Sequence, residues 1–103
     1  MKTDFEISSI QYDDDKISII KALSHLQTHC GLSDSYRLGN PVSRFGWTFV
    51  PLSIKPALRM CIEEKFADML KKTKGHKPDE KLTNFMTDFF QSRGCKLRLK
   101  LLD

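Results

Sequence analysis

The chain has 103 residues, the usual length of one domain, so we expect a single domain over residues 1–103. Its 40% hydrophobic and 29% charged residues exclude a disordered or fibrous protein, and its apolar runs are too short to span a membrane. The net charge of +4 favours an anionic partner without excluding other functions.

The first two predicted elements are a strand and a helix. Residues 5–12 alternate imperfectly and contain aromatic and β-branched side chains, which predicts a short strand. The aspartates at 13–15 provide an N-cap and first-turn negative charge for a helix over about 15–30, ended by Gly31. The apolar residues at the spacing of one buried helix face are Ile19, Ile20, Leu23, Leu26 and Cys30.

The middle of the chain predicts turns and a hairpin. Residues 32–46 are rich in turn formers, and Gly39-Asn40-Pro41 is the sharpest turn signal. Residues 47–50 are the best strand candidate, and we expect a hairpin that pairs 35–38 with 43–50.

A second helix is predicted after Ser53, its N-cap, with Pro56 in the first turn and Gly75 as the stop. It is expected to run unbroken for some eighteen residues. Its predicted buried stripe consists of Leu58, Ile62, Phe66 and Met69.

A third helix, over about 78–93, has the most regular apolar pattern in the chain. Its stripe is Leu82, Phe85, Met86, Phe89 and Phe90. Residues 95–101 then alternate leucine with cations, which predicts a half-buried final strand.

These elements predict the α+β class. We expect a small two-layer domain of order β-α-(ββ)-α-α-β, with three helices packed on one face of a three- or four-stranded, mostly antiparallel sheet. An α-rich bundle with a small ribbon is the alternative architecture.

No motif indicates a catalytic residue, a cofactor or a metal. His25 and His29 have a spacing that can chelate a transition metal, but two ligands are too few for a zinc site. Cys30, Cys61 and Cys95 are odd in number and form no C-x-x-C pair, so we expect free thiols and a cytoplasmic protein.

Two groups of late cations are candidate binding residues for nucleic acid or an acidic protein. The first group surrounds the turn after the second helix and consists of Lys71, Lys72, Lys74 and Lys77. The second group belongs to the final strand and consists of Lys96, Arg98 and Lys100. If that strand pairs near the end of the second helix, the groups merge into one phosphate-facing patch. The alternative is a solvated surface that offsets a helix dipole and protects a sheet edge.

Residues 44–50 interleave aromatic side chains with an arginine. Arg44, Phe45, Trp47 and Phe49 are candidates for stacking nucleobases on an exposed sheet face. Over these seven residues the chain resembles the aromatic strand motif of RNA-recognition-motif domains, while residues 5–12 carry no companion motif. The alternative is that these aromatics pack in the core against helices.

The leading functional hypothesis is a small non-enzymatic regulatory or adaptor protein that binds a protein or nucleic-acid partner. A second is a protein–protein interaction subunit or homo-oligomer, because seven phenylalanines and one tryptophan are many for a domain of this size to bury. A third is a toxin-like nuclease whose cleft is lined by lysines and His25, His29 or His76. A DNA-binding helix–turn–helix over 54–93 is disfavoured, because the apolar stripe of the third helix leaves few side chains to contact bases.

Overall fold

The computed structural model describes residues 2–102, which form two layers, a sheet and a set of helices. The strands are β1 (Thr3–Ser9), β2 (Tyr36–Leu38), β3 (Val42–Arg44), β4 (Trp47–Ile54) and β5 (Leu97–Leu102). The helices are α1 (Tyr12–His29), α2 (Pro56–Lys65), α3 (Ala67–Lys72) and α4 (Pro78–Gln91). The predicted two-layer α+β class is confirmed, and the described residues contain one helix and one strand more than expected.

The sheet is antiparallel at every strand pair, with the order β2-β4-β1-β5. β3 also pairs with β4, along the same edge as β2. The central strands β1 and β4 pair over the whole length of β1, so that Phe5 lies opposite Leu52 and Ile7 opposite Val50. On its other side β1 pairs with β5, which places Ile7 opposite Leu99.

One face of the sheet is covered by the helices. Burial alternates along β1, where Phe5 and Ile7 are fully buried while Asp4, Glu6 and Ser8 are only half-buried. The same core cluster contains Leu23 of α1, Leu58 of α2 and Phe90 of α4. None of the helices in residues 2–102 has both the length and the apolar character needed to cross a bilayer.

The last helix and strand follow their predicted patterns. In α4 the buried residues are Leu82, Phe85, Met86 and Phe90, with Phe89 partly buried beside them. In β5 Leu97 is buried while Arg98 and Lys100 are exposed, so the leucines face the core and the cations face away.

The predicted hairpin between 35–38 and 43–50 is wrong. β2 pairs with the second half of β4, and 42–44 form a separate strand opposite 47–49. Pro51 lies between the segment of β4 that pairs with β3 and the segment that pairs with β2, and it has no N–H to donate to a neighbouring strand. There the Gly39 N–H donates to the Pro51 carbonyl at 2.8 Å, and a Cβ on Gly39 would lie only 2.5 Å from Pro51 Cγ. Only glycine permits this close approach.

The predicted second helix is also shorter than expected at both ends. β4 continues to Ile54, so Lys55 is the N-cap of α2, and Ser53 instead donates a hydrogen bond to Asp4. Phe66, at φ −113° and ψ 27°, interrupts the helix and packs its ring 5.2 Å from that of Phe85. Met69 falls after this break and is 57% exposed, which removes it from the buried stripe.

Two expectations for α1 and its cysteines are corrected as well. Ile20 is 38% exposed and does not share the buried face. Cys30 and Cys61 form a disulfide that joins the end of α1 to α2, with their Cα atoms 6.1 Å apart. The expectation of three free thiols is therefore wrong, since only Cys95 is free among the described residues. The two bonded cysteines are 31 residues apart, so no local motif marks them as a pair.

Candidate functional site

The sheet surface opposite the helices is exposed, and we call it the open face. Residues that lie directly opposite one another on neighbouring strands point to the same side of a sheet, so the strand register defines this surface. Its residues, row by row from the β3–β4 turn, are Arg44 and Trp47; Val42, Phe49, Ser8 and Arg98; Pro51, Glu6 and Lys100; and Arg37, Ser53, Asp4 and Leu102.

The four candidate stacking residues all lie on the β3–β4 hairpin. Arg44 and Trp47 flank the two-residue turn Phe45-Gly46, in which both residues have positive φ, 51° and 81°. Two consecutive positive φ values are typical of the type I′ turns that close tight hairpins. Trp47 and Phe49 are half-buried and lie outside the core cluster, so the alternative in which the helices cover them is wrong.

Phe45, at the tip of this hairpin, is unfavourable for folding. Its side chain is 100% exposed, so it contributes no burial. Its φ of 51° lies in the left-handed region, which costs a residue with a Cβ roughly 1–2 kcal/mol and is better suited to asparagine or glycine. The stability of the isolated fold does not explain a phenylalanine at this position.

Cations from three other strands share the open face with the aromatic residues. Arg98 of β5 lies in the same row as Phe49, separated from it by the small side chain of Ser8 on β1. Arg37, Arg44 and Lys100 lie on the same face, and these four cations outnumber the two carboxylates that the described residues place there, Asp4 and Glu6. The field above the sheet therefore favours an anionic ligand.

Residues of the open face contribute to two grooves. One, of about 340 Å³, runs between Phe49, Arg44 and Glu6. The other, of about 290 Å³, is lined by Trp47 and Arg98 together with the buried Cys95, which precedes β5. Burial, and secondarily the charge of nearby Asp15, raise the pKa of the Cys95 thiol above its ordinary value. A raised pKa reduces the thiolate fraction of this cysteine and so its nucleophilic character.

The predicted basic residues do not form one patch. β5 pairs with β1 and not with the region after the second helix, so the condition for merging is not met. Lys71 and Lys72 end α3 in the helical layer, and Lys74 and Lys77 follow in the connection to α4. The Lys81 ammonium holds this region in place by donating to the carbonyls of Leu70, Lys71 and Thr73. Arg98 and Lys100 point from the other side of the sheet, and Lys96 lines the groove beside Trp47.

The histidines do not assemble with other reactive groups. His25 lines a shallow groove of about 390 Å³ with Lys21 and Arg93, while the ring of His29 lies 6.0 Å from that of Phe66. His76 is exposed in the connection before α4. Over residues 2–102 no histidine side chain forms a hydrogen bond or ion pair, and no three His, Cys, Asp or Glu side chains are grouped to hold a metal. In this part of the chain no histidine is therefore hydrogen-bonded to a nucleophile that it could activate as a base.

Sequence reasoning missed the carboxylates and Arg37 of the open face. The signal was the alternation in β1, which places Asp4 and Glu6 on the other face of the strand from the buried Phe5 and Ile7. This alternation points to a binding surface only once the strand pairing is known, because the pairing places residues of β3, β4 and β5 on the same face as Asp4 and Glu6. The chain matches no family model, no curated protein and no solved structure.

Proposed function

We propose that this protein is a small non-enzymatic binding module whose open face binds single-stranded nucleic acid. The observation that carries the proposal is the presence of Trp47 and Phe49 on the same uncovered surface as Arg98 and Lys100 of β5. Aromatic rings stack on unpaired bases, and cations beside them neutralise the phosphates that connect those bases.

The exposed Phe45 supports the same function. A fully exposed ring held in a left-handed conformation weakens the fold, which is understandable if the ring gains its contacts from a partner. With Trp47 and Phe49, it supplies stacking surfaces for about two or three bases.

A single strand fits this surface better than a duplex. Stacking on the rings requires bases that are not paired and stacked within a double helix. Duplex DNA is commonly bound by a helix inserted into the major groove. The apolar stripe of α4 is instead buried against the sheet, from Leu82 to Phe90, which makes this helix a core element.

The test uses the fluorescence of Trp47, the single tryptophan of the chain. Titration with short single-stranded RNA and DNA should quench this fluorescence, and the affinity should fall as salt is raised because counterions are released on binding. Replacing both Arg98 and Lys100 with glutamate should weaken binding by about ten-fold or more at low salt. The matched control, Lys72→Glu with Lys74→Glu, changes the same charge in the helical layer and should leave the affinity within about two-fold.

The opposite result identifies a different partner. The open face also carries Val42 and Leu102, which are 47% and 39% exposed and suit a protein surface. If no oligonucleotide quenches Trp47 and light scattering gives a dimer, the nucleic-acid proposal is wrong and the homo-oligomer hypothesis takes its place. If only the lysine control variant loses binding, the binding site lies in the helical layer and not on the open face.

The expected cytoplasmic location rested on three free thiols, and the Cys30–Cys61 disulfide removes that basis. Disulfides persist mainly in oxidising compartments. Trapping the thiols of Cys30 and Cys61 in intact cells before lysis tests the point: two modified thiols support the cytoplasm, and two protected ones contradict it.

A further inference from the structure

The groove beside Phe49 has features suited to holding one base. It is walled by the Phe49 ring and Pro51, and Arg44 and Asn40 lie at its side. Its volume of about 340 Å³ is at the lower end of the range for small-molecule sites. On the proposed function, a base stacked on Phe49 would occupy this groove while Arg44 meets its phosphate.

Among residues 2–102, Glu6 is the one carboxylate that lines this groove. It is half-buried on β1, with Pro51 opposite on one side and Lys100 opposite on the other. A Glu6–Lys100 ion pair would be the ordinary explanation for an acid at this position. Among residues 2–102, however, both ion pairs involve Arg59, and the Glu6 side chain makes no hydrogen bond.

The neighbouring acid of the same face differs in this respect. The Asp4 carboxylate accepts a hydrogen bond from the Ser53 hydroxyl and does not line the groove. Glu6 therefore combines two unengaged carboxylate oxygens with a position in the groove beside Phe49, whereas Asp4 has one oxygen engaged by Ser53 and does not line the groove.

A free carboxylate in a cationic surface repels phosphate and accepts hydrogen bonds only from N–H or O–H donors. The nucleobases differ in the donors on their Watson–Crick edges. Guanine presents two adjacent donors, N1–H and the N2 amine, which match the two oxygens of one carboxylate. Adenine and cytosine present one amine next to an acceptor, and uracil presents one N–H between two acceptors.

We propose that Glu6 is a specificity-determining residue that selects guanine in the groove beside Phe49. This inference rests on the proposed binding of single-stranded nucleic acid by the open face. It assigns the base-discriminating contact to β1, whereas the stacking and phosphate contacts come from the β3–β4 hairpin and β5.

The experiment compares hexamers of uridine with hexamers in which one central uridine is replaced by guanosine, adenosine or cytidine. The guanosine hexamer should bind the unaltered protein about ten-fold more tightly than hexauridine, as expected for one bidentate contact. Glu6→Gln, which keeps the size but replaces one acceptor with a donor, should reduce that preference to about two-fold or less. Asp4→Asn removes the same charge from the same strand and should leave the preference unchanged.

The readout is the ratio of affinities, since loss of a negative charge alone raises the affinity for every oligonucleotide. If the unaltered protein binds no hexamer, the proposed function itself is wrong. If it binds all hexamers equally, or if Glu6→Gln keeps the preference for guanosine, the role of Glu6 is overturned while binding by the open face stands. An equal loss of preference in Asp4→Asn also overturns it, because the effect would then be one of charge and not of contact.

Discussion

The Asp15 carboxylate accepts a hydrogen bond from the backbone N–H of Lys96 at 3.1 Å, across 81 residues of sequence. Asp15 is buried and also accepts hydrogen bonds from the Ser9 hydroxyl and the Gln11 side-chain amide, each at 2.9 Å. It thereby fixes the first turn of α1 to the end of β1 and to the start of β5. This connection anchors the residue that precedes β5, and β5 itself is held in the sheet by its pairing with β1.

Replacement of Asp15 by alanine should lower the free energy of unfolding by about 3 kcal/mol, because buried donors lose a charged acceptor. Asp14→Ala is the matched control, since Asp14 lies in the same helical turn but is exposed. It should cost only about 0.5 kcal/mol through the helix dipole. Urea unfolding measures both values, and equal losses would contradict the role of the hydrogen bonds.

The open face can be tested by comparing two phenylalanines. Phe90 is fully buried, so Phe90→Ala should destabilise the protein by about 3–5 kcal/mol. Phe49 lies on the open face outside the core cluster, and Phe49→Ala should cost roughly 1 kcal/mol. Similar midpoint shifts for the two variants in chemical denaturation would show that the face is covered.

Phe45→Asn should stabilise the fold by about 1 kcal/mol, because asparagine accepts the left-handed conformation of a type I′ turn. The same change should weaken binding of single strands by removing an exposed ring. Thermal unfolding and Trp47 fluorescence report the two effects separately. Gly46→Ala provides the contrasting control: the site has space for a Cβ, but its φ of 81° should make this variant less stable.

The Cys30–Cys61 disulfide should leave one titratable thiol, that of Cys95, when the protein is unfolded without reductant. Closing a loop over a separation of 31 residues should add about 3–4 kcal/mol to the stability on the chain-entropy account. A thiol assay in denaturant and urea unfolding with and without reductant check the two statements. Three titratable thiols would mean that the bond does not form.

Cys95 should make the stability depend on pH in the alkaline range. Burial and the charge of Asp15 raise the pKa of this thiol, so the folded protein holds the proton more tightly than the unfolded chain. The resulting contribution is present in full below the ordinary thiol pKa of about 8.5 and is lost as pH rises through the raised pKa. Cys95→Ala lacks this contribution, so its stability should decline less steeply above that pH in a series of urea titrations.

Local patterns in the sequence were sufficient to predict the helices and strands whose buried residues recur at one regular spacing. The stripe from Leu82 to Phe90 predicted α4, and the alternation in 95–101 predicted β5 with its cations on the far side from the core. The candidate stacking residues Arg44 to Phe49 were identified in the same way, because aromatic residues next to an arginine stand out in a single stretch.

Only the tertiary structure decided which residues meet. The pairing of β5 with β1 separates Arg98 and Lys100 from the lysines at 71–77 and brings them to the face of Trp47 and Phe49. The partners of Cys30 and Asp15 are also far away in the chain, at 31 and 81 residues respectively. Periodicity reports which side of an element is buried, whereas the choice of neighbours depends on packing between elements that no local pattern contains.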